Sequence, residues 1–201
     1  MKSAVRYDAA SRILTVNGDT YRLSTGRVFV IGGGKASGLM AETLENIIHP
    51  ENISAGVVNC KSGHYKTSKI KIIPAGHPIP DQRGTSGVKE MLTLRQRYSI
   101  NEDDLVICLI SGGGSALMSY PVDELSLEET QRITELLLSS GVEIAEINAV
   151  RKHLSKIKGG RLGRFYSPVT VISLILSDVI ANNLAVIASG PTFPVNCPAG
   201  K

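Results

Sequence analysis

Hydrophobic and polar residues are interspersed near the N-terminus of the chain. Two short mixed runs, Arg12–Val16 and Asp19–Leu23, flank the pair Asn17-Gly18. Asn-Gly favours a type I′ turn, because both positions of that turn need positive φ, and such a turn joins antiparallel strands. The pattern predicts a β-hairpin within the N-terminal segment, residues 1–26.

Farther along the chain, apolar residues form nearly continuous runs. Val28–Ile31, Leu105–Ile110 and Val169–Leu176 show no regular polar face, and shorter strand-like runs lie at Ala55–Asn59 and Ile70–Ile73. Strands of this kind are buried on both faces, which is typical of a parallel sheet covered by helices.

Apolar residues at helical spacing occupy the segments between these strands. One helix ends before Pro50, and another begins at a capping box formed by Ser126 and Glu129 and ends at Gly141. Further helices are predicted near Gly84–Tyr98 and Ile144–Ile157. The residues predicted to face inward on the last two helices of the chain are Leu127, Ile133, Leu136, Leu137, Ile147, Val150, Leu154 and Ile157.

Together these elements predict an α/β fold. We expect a Rossmann-like, three-layer αβα domain with a mostly parallel sheet over residues 27–194. The N-terminal β-hairpin precedes this domain, and residues 195–201 are expected to form an irregular tail.

Two predicted strands end in glycine-rich turns. Gly32–Lys35 follows the first strand and Ser111–Ser115 follows Leu105–Ile110, while Ser177-Asp178 ends the last strand. Ligands of parallel sheets bind beyond the carboxyl ends of the strands. Glycine turns that lead into helices offer free backbone N–H groups and allow a phosphate to approach closely. An anion site is therefore predicted here.

The glycine spacing of the first turn distinguishes between several kinds of phosphate-binding loop. A Walker A loop is excluded because Phe29 stands where its first glycine would be. Gly32–Gly38 reads GxGxxxG, close to a dinucleotide fingerprint, but the second strand lacks the expected acidic residue. Lys61 could accept a 2′-phosphate there, so an NADP-binding module stays an alternative. Lys35 could instead neutralise a transferring phosphoryl group or a substrate carboxylate.

Charge is distributed unevenly along the chain. The 201 residues have a net charge of +4, with 20% charged and 42% hydrophobic residues, as in ordinary soluble proteins. No Asp or Glu occurs from Ile147 to Ser177. That stretch contains Arg151, Lys152, His153, Lys156, Lys158, Arg161 and Arg164. An anionic partner carrying phosphate or carboxylate is expected. A nucleic acid is not, because the chain has no Trp and three Phe.

Other features bear on the compartment. No apolar run is long enough for a membrane span, and the N-terminus lacks the apolar core of a signal peptide. Cys60, Cys108 and Cys197 are scattered, and the first two lie in strand-like runs, so they are expected to be buried thiols. These observations predict a cytoplasmic protein without a membrane partner.

Six blocks of the sequence resemble the glycerate 2-kinase family, whose members carry a C-terminal MOFRL domain. In chain order they are Gly34–Ser37 with Met40-Ala41, Gly76–Asp81, Ser111–Leu117, Asn148–Leu162, Leu176–Val179 and Ile187–Thr192. The resemblance implies ATP- and Mg²⁺-dependent phosphorylation of D-glycerate at its 2-hydroxyl, which gives 2-phosphoglycerate. It also implies a Rossmann-like first domain that faces a second domain across a cleft.

The resemblance also implies roles for particular residues. Lys35 and Asp178 match the essential lysine and aspartate of the family. Lys35 would stabilise the transferring phosphoryl group, and Asp178 would orient or deprotonate the acceptor hydroxyl or hold magnesium. The implied phosphate- and substrate-binding residues are Gly33, Gly34, Ser111, Gly112, Gly113, Gly114, Ser115, Asn148, Arg151, Lys152 and Lys158. His77 and Asp81 have plainer interpretations, as a turn residue and a helix cap.

The sequence departs from the family pattern in two places. Ala181–Asn183 stand where the family has a glycine and an acid. The second, C-terminal domain is expected to be missing, so the chain corresponds to the first half of a kinase. A non-catalytic phosphate- or nucleotide-binding module and an NADP-binding oxidoreductase domain remain alternatives. An apolar face left by the missing domain would favour self-association.

Overall fold

A computed structural model describes residues 4–23, 26–177 and 183–193 of the chain. Its N-terminal strands β1 (Val5–Asp8), β2 (Ile13–Val16) and β3 (Asp19–Arg22) form an antiparallel sheet. The predicted hairpin is confirmed as β2 and β3, because Asn17 and Gly18 both adopt positive φ, 50° and 98°. The additional strand β1 was not predicted.

A five-stranded parallel sheet forms the centre of the molecule. It consists of β4 (Val28–Gly33), β5 (Ile53–Cys60), β6 (Ile70–Pro74), β7 (Leu105–Ser111) and β8 (Thr170–Leu176). The strand order is β6-β5-β4-β7-β8, which confirms the predicted α/β fold. The order reverses between β4 and β7, the position at which open α/β sheets bind ligands.

Helices connect and cover these strands. They are α1 (Ser37–Ile48), α2 (Gln82–Arg97), α3 (Gly114–Leu117), α4 (Leu127–Ser139), α5 (Ile144–His153) and α6 (Arg161–Tyr166). Short 3₁₀ turns occupy Pro50–Asn52 and Ile187–Ser189. In the described part of the chain, no helix is both long and apolar enough to cross a membrane.

The apolar run of β4 supplies two separate cores. Phe29 and Ile31 face the core that contains α2, whereas Val28 and Val30 face the core that contains α1. Successive side chains of a strand point to opposite faces of the sheet. A strand covered on both faces must therefore be apolar at every position, which explains the missing polar alternation.

One buried carboxylate joins the beginnings of the two central strands. Asp104 accepts hydrogen bonds from the backbone N–H and the guanidinium of Arg27, and forms an ion pair with it at 2.8 Å. It also accepts a hydrogen bond from the backbone N–H of Asn101. Burial raises the pKa of Asp104, but these donors outweigh burial and the net shift is downward.

The later helices differ in part from the prediction. The capping box of Ser126 and Glu129 is confirmed, but Leu136 is 61% exposed and Val150 is 38% exposed, so neither faces inward as expected. Helix α5 ends at His153 and does not continue to Ile157. The backbone pairs instead with residues 120–122, since Lys156 N–H donates to the Tyr120 carbonyl at 2.9 Å.

Candidate active site

The two glycine turns contact each other beyond the carboxyl ends of β4 and β7. The backbone N–H of Lys35 donates to the carbonyl of Gly112 at 2.8 Å. A Cβ atom at Gly34 would lie 2.1 Å from Oγ of Ser111, and φ at Gly34 is +156°. Only glycine allows this approach, so Gly34 closes the two loops onto one another.

The buried side chain of Ser111 connects the two loops through hydrogen bonds. Its side chain is 2% exposed, and its Oγ accepts a hydrogen bond from the backbone N–H of Ala36 at 3.0 Å. The same Oγ lies 3.2 Å from Oγ of Ser37, the first residue of α1. Ser111 therefore organises the start of α1, and its buried hydroxyl does not face the cleft.

Two basic side chains lie against Gly113 in the second loop. Its φ is +80°, and a Cβ atom there would lie 2.9 Å from Nε2 of His77 and 3.0 Å from Cε of Lys35. Gly114 packs equally closely, because its Cβ would lie 2.7 Å from the carbonyl oxygen of Gly33. Both glycines permit contacts that a larger residue would prevent.

A cleft of about 290 Å³ opens beside this loop. It is lined by the predicted residues Gly112, Gly113, Ser115, Asn148 and Arg151, together with His77, Pro78, Ala116, Leu138 and Val186–Ala188. Five of the site residues expected from the sequence therefore meet in one cleft. Lys152 is half-buried and is not among the described residues that line it.

A chain of hydrogen bonds fixes one wall of the cleft. Oγ of Ser115 lies 2.9 Å from Oγ of Ser189, which donates to Oδ1 of Asn148 at 3.1 Å. Ala188 and Ser189 both adopt left-handed φ, 52° and 62°, which is unfavourable for residues with a Cβ atom. Such strain is often found at functional sites. This backbone conformation places Ser189 within hydrogen-bond distance of Ser115 on α3 and of Asn148 on α5.

Behind this wall lies a smaller cavity of about 30 Å³. Arg151, Ser155 and Lys158 line it, although α5 ends at His153 and contains only the first of the three. Lys158 is 4% exposed, and its Nζ donates to the carbonyl of Met118 at 2.8 Å. Burial, with a smaller effect of Arg151, lowers the pKa of Lys158 to about 7.

Burial and positive charge near the cleft lower the pKa values of several groups. Burial lowers the pKa of Arg151 and of Lys152. Burial also lowers the pKa of His77, and the positive charges of Lys35, Lys61 and Arg151 lower it further. His77 was not among the predicted site residues, and Lys61 was named only as an acceptor of a 2′-phosphate in the NADP-binding alternative. The block Gly76–Asp81 was the sequence signal for His77. Its position beside Gly113 in the second glycine turn became evident only in the structure.

Carboxylates do not compensate this charge in the described part of the site. The residues lining the cleft include no Asp or Glu, and no group of three or more potential metal ligands occurs among the described residues. Asp81 caps α2 by accepting from the N–H of Gly84 at 3.0 Å, as its plainer interpretation predicts. Asp178, Ala181 and Asn182, as well as Cys197 and the tail 195–201, lie outside the described residues.

Comparisons with known proteins place these observations in a family context. A glycerate 2-kinase from Pyrococcus horikoshii is 47% identical over 180 residues, which are 89% of this chain and 39% of that protein. A protein named "Putative hydroxypyruvate reductase" from Agrobacterium vitis is 44% identical over 83% of this chain and 43% of its own length. The chain thus spans about two fifths of these relatives.

A solved structure agrees with the fold. The crystal structure of glycerate kinase from Thermotoga maritima matches 86% of this chain and 41% of its own, with a TM-score of 0.77 and 43% identity. A family model described as Domain of unknown function (DUF4147) matches residues 1–199. The chain therefore belongs to the DUF4147 family and has strong homologues among the glycerate 2-kinases, as its sequence blocks led us to expect.

Proposed function

We propose that this chain forms the phosphate- and carboxylate-binding half of an enzyme that transfers a phosphoryl group from ATP to the 2-hydroxyl of D-glycerate. The observation that supports this best is the cleft beside the two glycine turns, with Lys35, His77 and Arg151 around it and no carboxylate among its described lining residues. Uncompensated cations at free backbone N–H groups suit anionic substrates.

Each group in the cleft would have a distinct task. The N–H groups of Gly112–Ser115 would bind phosphate oxygens, and the exposed Lys35 would stabilise charge on the phosphoryl group in transit. Arg151 can bind a carboxylate or phosphate through two parallel hydrogen bonds. Lys152 would add positive potential beside the cleft, and Lys158 would add it from behind when its amine is protonated. The predicted Rossmann-like domain at 27–194 would carry this whole site.

Magnesium would accompany ATP, since Mg²⁺ binds the phosphate oxygens together with one or two carboxylates. The described cleft residues offer no carboxylate for it. Asp178 is the proposed candidate, either as a magnesium ligand or as the group that orients or deprotonates the hydroxyl. Phosphoryl transfer needs groups from both sides of a closed cleft, and the proposal assigns one side of that cleft to this chain.

An NADP-binding oxidoreductase domain is the second candidate. The relative named as a hydroxypyruvate reductase supports it, and Lys61 lies directly after β5, where a 2′-phosphate would bind. A binding module without catalysis is the third. We also propose a cytoplasmic location, which fits the free, buried thiols of Cys60 and Cys108.

Thermal unfolding with candidate ligands tests these functions. MgATP, D-glycerate, both together and NADPH would be added to the wild type, to Lys35→Ala and to Lys89→Ala, an exposed lysine on α2. A ligand at 100 times its Kd adds about 2.7 kcal/mol to the free energy of unfolding. We expect stabilisation by MgATP or D-glycerate that Lys35→Ala loses and Lys89→Ala keeps. A shift with NADPH alone would refute the kinase proposal.

Self-association is proposed from a separate surface. A groove of about 330 Å³ runs between the N-terminal sheet, α1 and the edge strand β8. Leu39 and Leu176 line it and are 61% and 55% exposed. Large apolar side chains clustered on a surface favour association with another apolar surface, and a second copy of the chain supplies one.

A further inference from the structure

The position of His77 suggests a role beyond the turn that its sequence context indicated. Its imidazole and the Lys35 side chain both lie against Gly113, and His77 lines the cleft where the proposed function places the substrates. A role for His77 in recognising the hydroxyl group that would accept the phosphoryl group rests on that proposed function.

Hydrogen-bond donors dominate the neighbourhood of His77. Lys35 and Arg151 can only donate. Oγ of Ser115 and Oδ1 of Asn148 are already engaged with Ser189, although each oxygen keeps a lone pair. An alcohol that enters this cleft brings a donor of its own, and leaving that donor unpaired in a desolvated site would weaken binding.

Neutral imidazole provides the acceptor that the cations cannot. Burial and the charges of Lys35, Lys61 and Arg151 favour the uncharged ring, while its own backbone carbonyl acts weakly in the opposite direction. Of the two ring nitrogens, Nδ1 is the one that can approach the residue's own carbonyl, so the inference places the proton of the neutral ring on Nδ1. Nε2, the atom beside Gly113, is then unprotonated and free to accept.

We infer that Nε2 of His77 accepts a hydrogen bond from the 2-hydroxyl of a small 2-hydroxycarboxylate bound in the cleft. His77 is therefore a specificity-determining residue. Arg151 and the loop amides would attract any small carboxylate or phosphate, whereas His77 would favour the ligands that carry a hydroxyl beside the carboxylate.

A pair of ligands that differ in this hydroxyl tests the inference. D-glycerate and 3-hydroxypropionate share the carboxylate and the terminal hydroxyl, but only D-glycerate has the 2-hydroxyl. Isothermal titration calorimetry at about pH 7.5, where a neutral imidazole predominates, should show that the wild type binds D-glycerate about threefold to tenfold more tightly, the range for one neutral hydrogen bond.

Three variants identify the responsible side chain. His77→Phe keeps a ring but removes the acceptor, so the ratio of the two Kd values should fall to about one. His77→Gln retains an acceptor oxygen and should keep part of the preference. His64→Phe, at an exposed histidine, should leave the ratio unchanged. Ligand-free melting curves of all three verify that the variants fold.

Nitrogen-15 NMR of labelled histidines gives a readout that a merely structural role would not change. The Nε2 resonance of His77 should be that of an unprotonated nitrogen, and it should shift with D-glycerate but not with 3-hydroxypropionate. An unchanged Kd ratio in His77→Phe, or a protonated Nε2 in the free protein, would overturn the inference. If neither acid binds and no Lys35-dependent stabilisation by MgATP occurs, the proposed function fails as well.

Discussion

At the residue scale, the site depends on glycines whose neighbours tolerate no side chain. Gly113 combines positive φ with contacts to His77 and Lys35, whereas a Cβ atom at Gly141, where φ is +72°, would meet no atom of the described residues within 4 Å. Substitutions at the two glycines therefore distinguish the cost of the backbone conformation from the effect of crowding the site.

Gly113→Ala should abolish ligand binding, while Gly141→Ala should not. Both changes place Ala in the left-handed region, which costs about 1–2 kcal/mol of stability. Only the methyl group at Gly113 would displace His77 and Lys35. Melting curves with and without MgATP or D-glycerate measure both effects, and retention of the ligand shift in Gly113→Ala would contradict this account of the loop.

The lowered pKa of Lys158 predicts that the free energy of unfolding depends on pH. Its pKa is about 7 in the folded protein and about 10.4 in an unfolded chain. Between these values the unfolded chain binds more protons, so the free energy of unfolding should rise with pH. Removing the buried amine should remove that rise.

Lys158→Met should therefore show a flatter stability profile than the wild type. Urea unfolding at about pH 7, 8 and 9, between the folded and unfolded pKa values, would give the comparison. Lys156→Met is the control because Lys156 forms an exposed ion pair with Asp123. Parallel profiles for wild type and Lys158→Met would mean that Lys158 keeps an ordinary pKa in the fold.

At the element scale, Asp104 holds the beginnings of β4 and β7 through Arg27 and Asn101. Asp104→Asn should destabilise the protein by about 2 kcal/mol, because hydrogen bonds to a charged, 4% exposed carboxylate are lost. Asp103→Asn, at the exposed neighbouring position, should have little effect. Chemical denaturation at neutral pH measures both.

The sign of the acid dependence follows from the lowered pKa of Asp104. Its stabilisation is present above the unfolded pKa of about 3.9 and is lost as pH falls through the lower folded pKa. The difference between wild type and Asp104→Asn should therefore shrink below about pH 4. A constant difference down to that range would contradict the role of the ionised carboxylate.

Helix α4 is expected to depend strongly on its N-cap. Thr134 is the buried residue of this helix among those described, and Leu136 and Leu138 are exposed. Ser126→Ala removes the capping box and should cost about 1 kcal/mol of local stability. Hydrogen exchange of the α4 amides should accelerate in Ser126→Ala and not in Ser139→Ala. Equal exchange rates would show that packing alone holds the helix.

At the scale of the whole molecule, the groove at β8 predicts self-association. Leu39→Glu should shift the chain towards the monomer in sedimentation velocity, because a carboxylate would be buried in an apolar contact. Leu136→Glu is a matched control, since Leu136 has the same 61% exposure but lies on α4. A wild-type chain that stays monomeric at its highest soluble concentration would refute the proposal.

Local patterns in the sequence determined much of this architecture. The turn at Asn17-Gly18, the capping box at Ser126 and the apolar runs of the parallel sheet follow from short-range geometry and from burial of both faces. The glycine turns could be assigned to the ligand-binding edge because parallel strands all end on one side. These features depend on neighbours in sequence or on a general rule of sheets.

Tertiary structure alone decided which side chains meet at that edge. His77 reaches Gly113 from a distant part of the sequence, and Ser189 joins Ser115 to Asn148. Helix α5 ends early because its last predicted turn pairs with residues 120–122. Periodicity reports whether a residue favours burial, but contacts between distant segments and competing backbone hydrogen bonds are set by the packing of the whole chain.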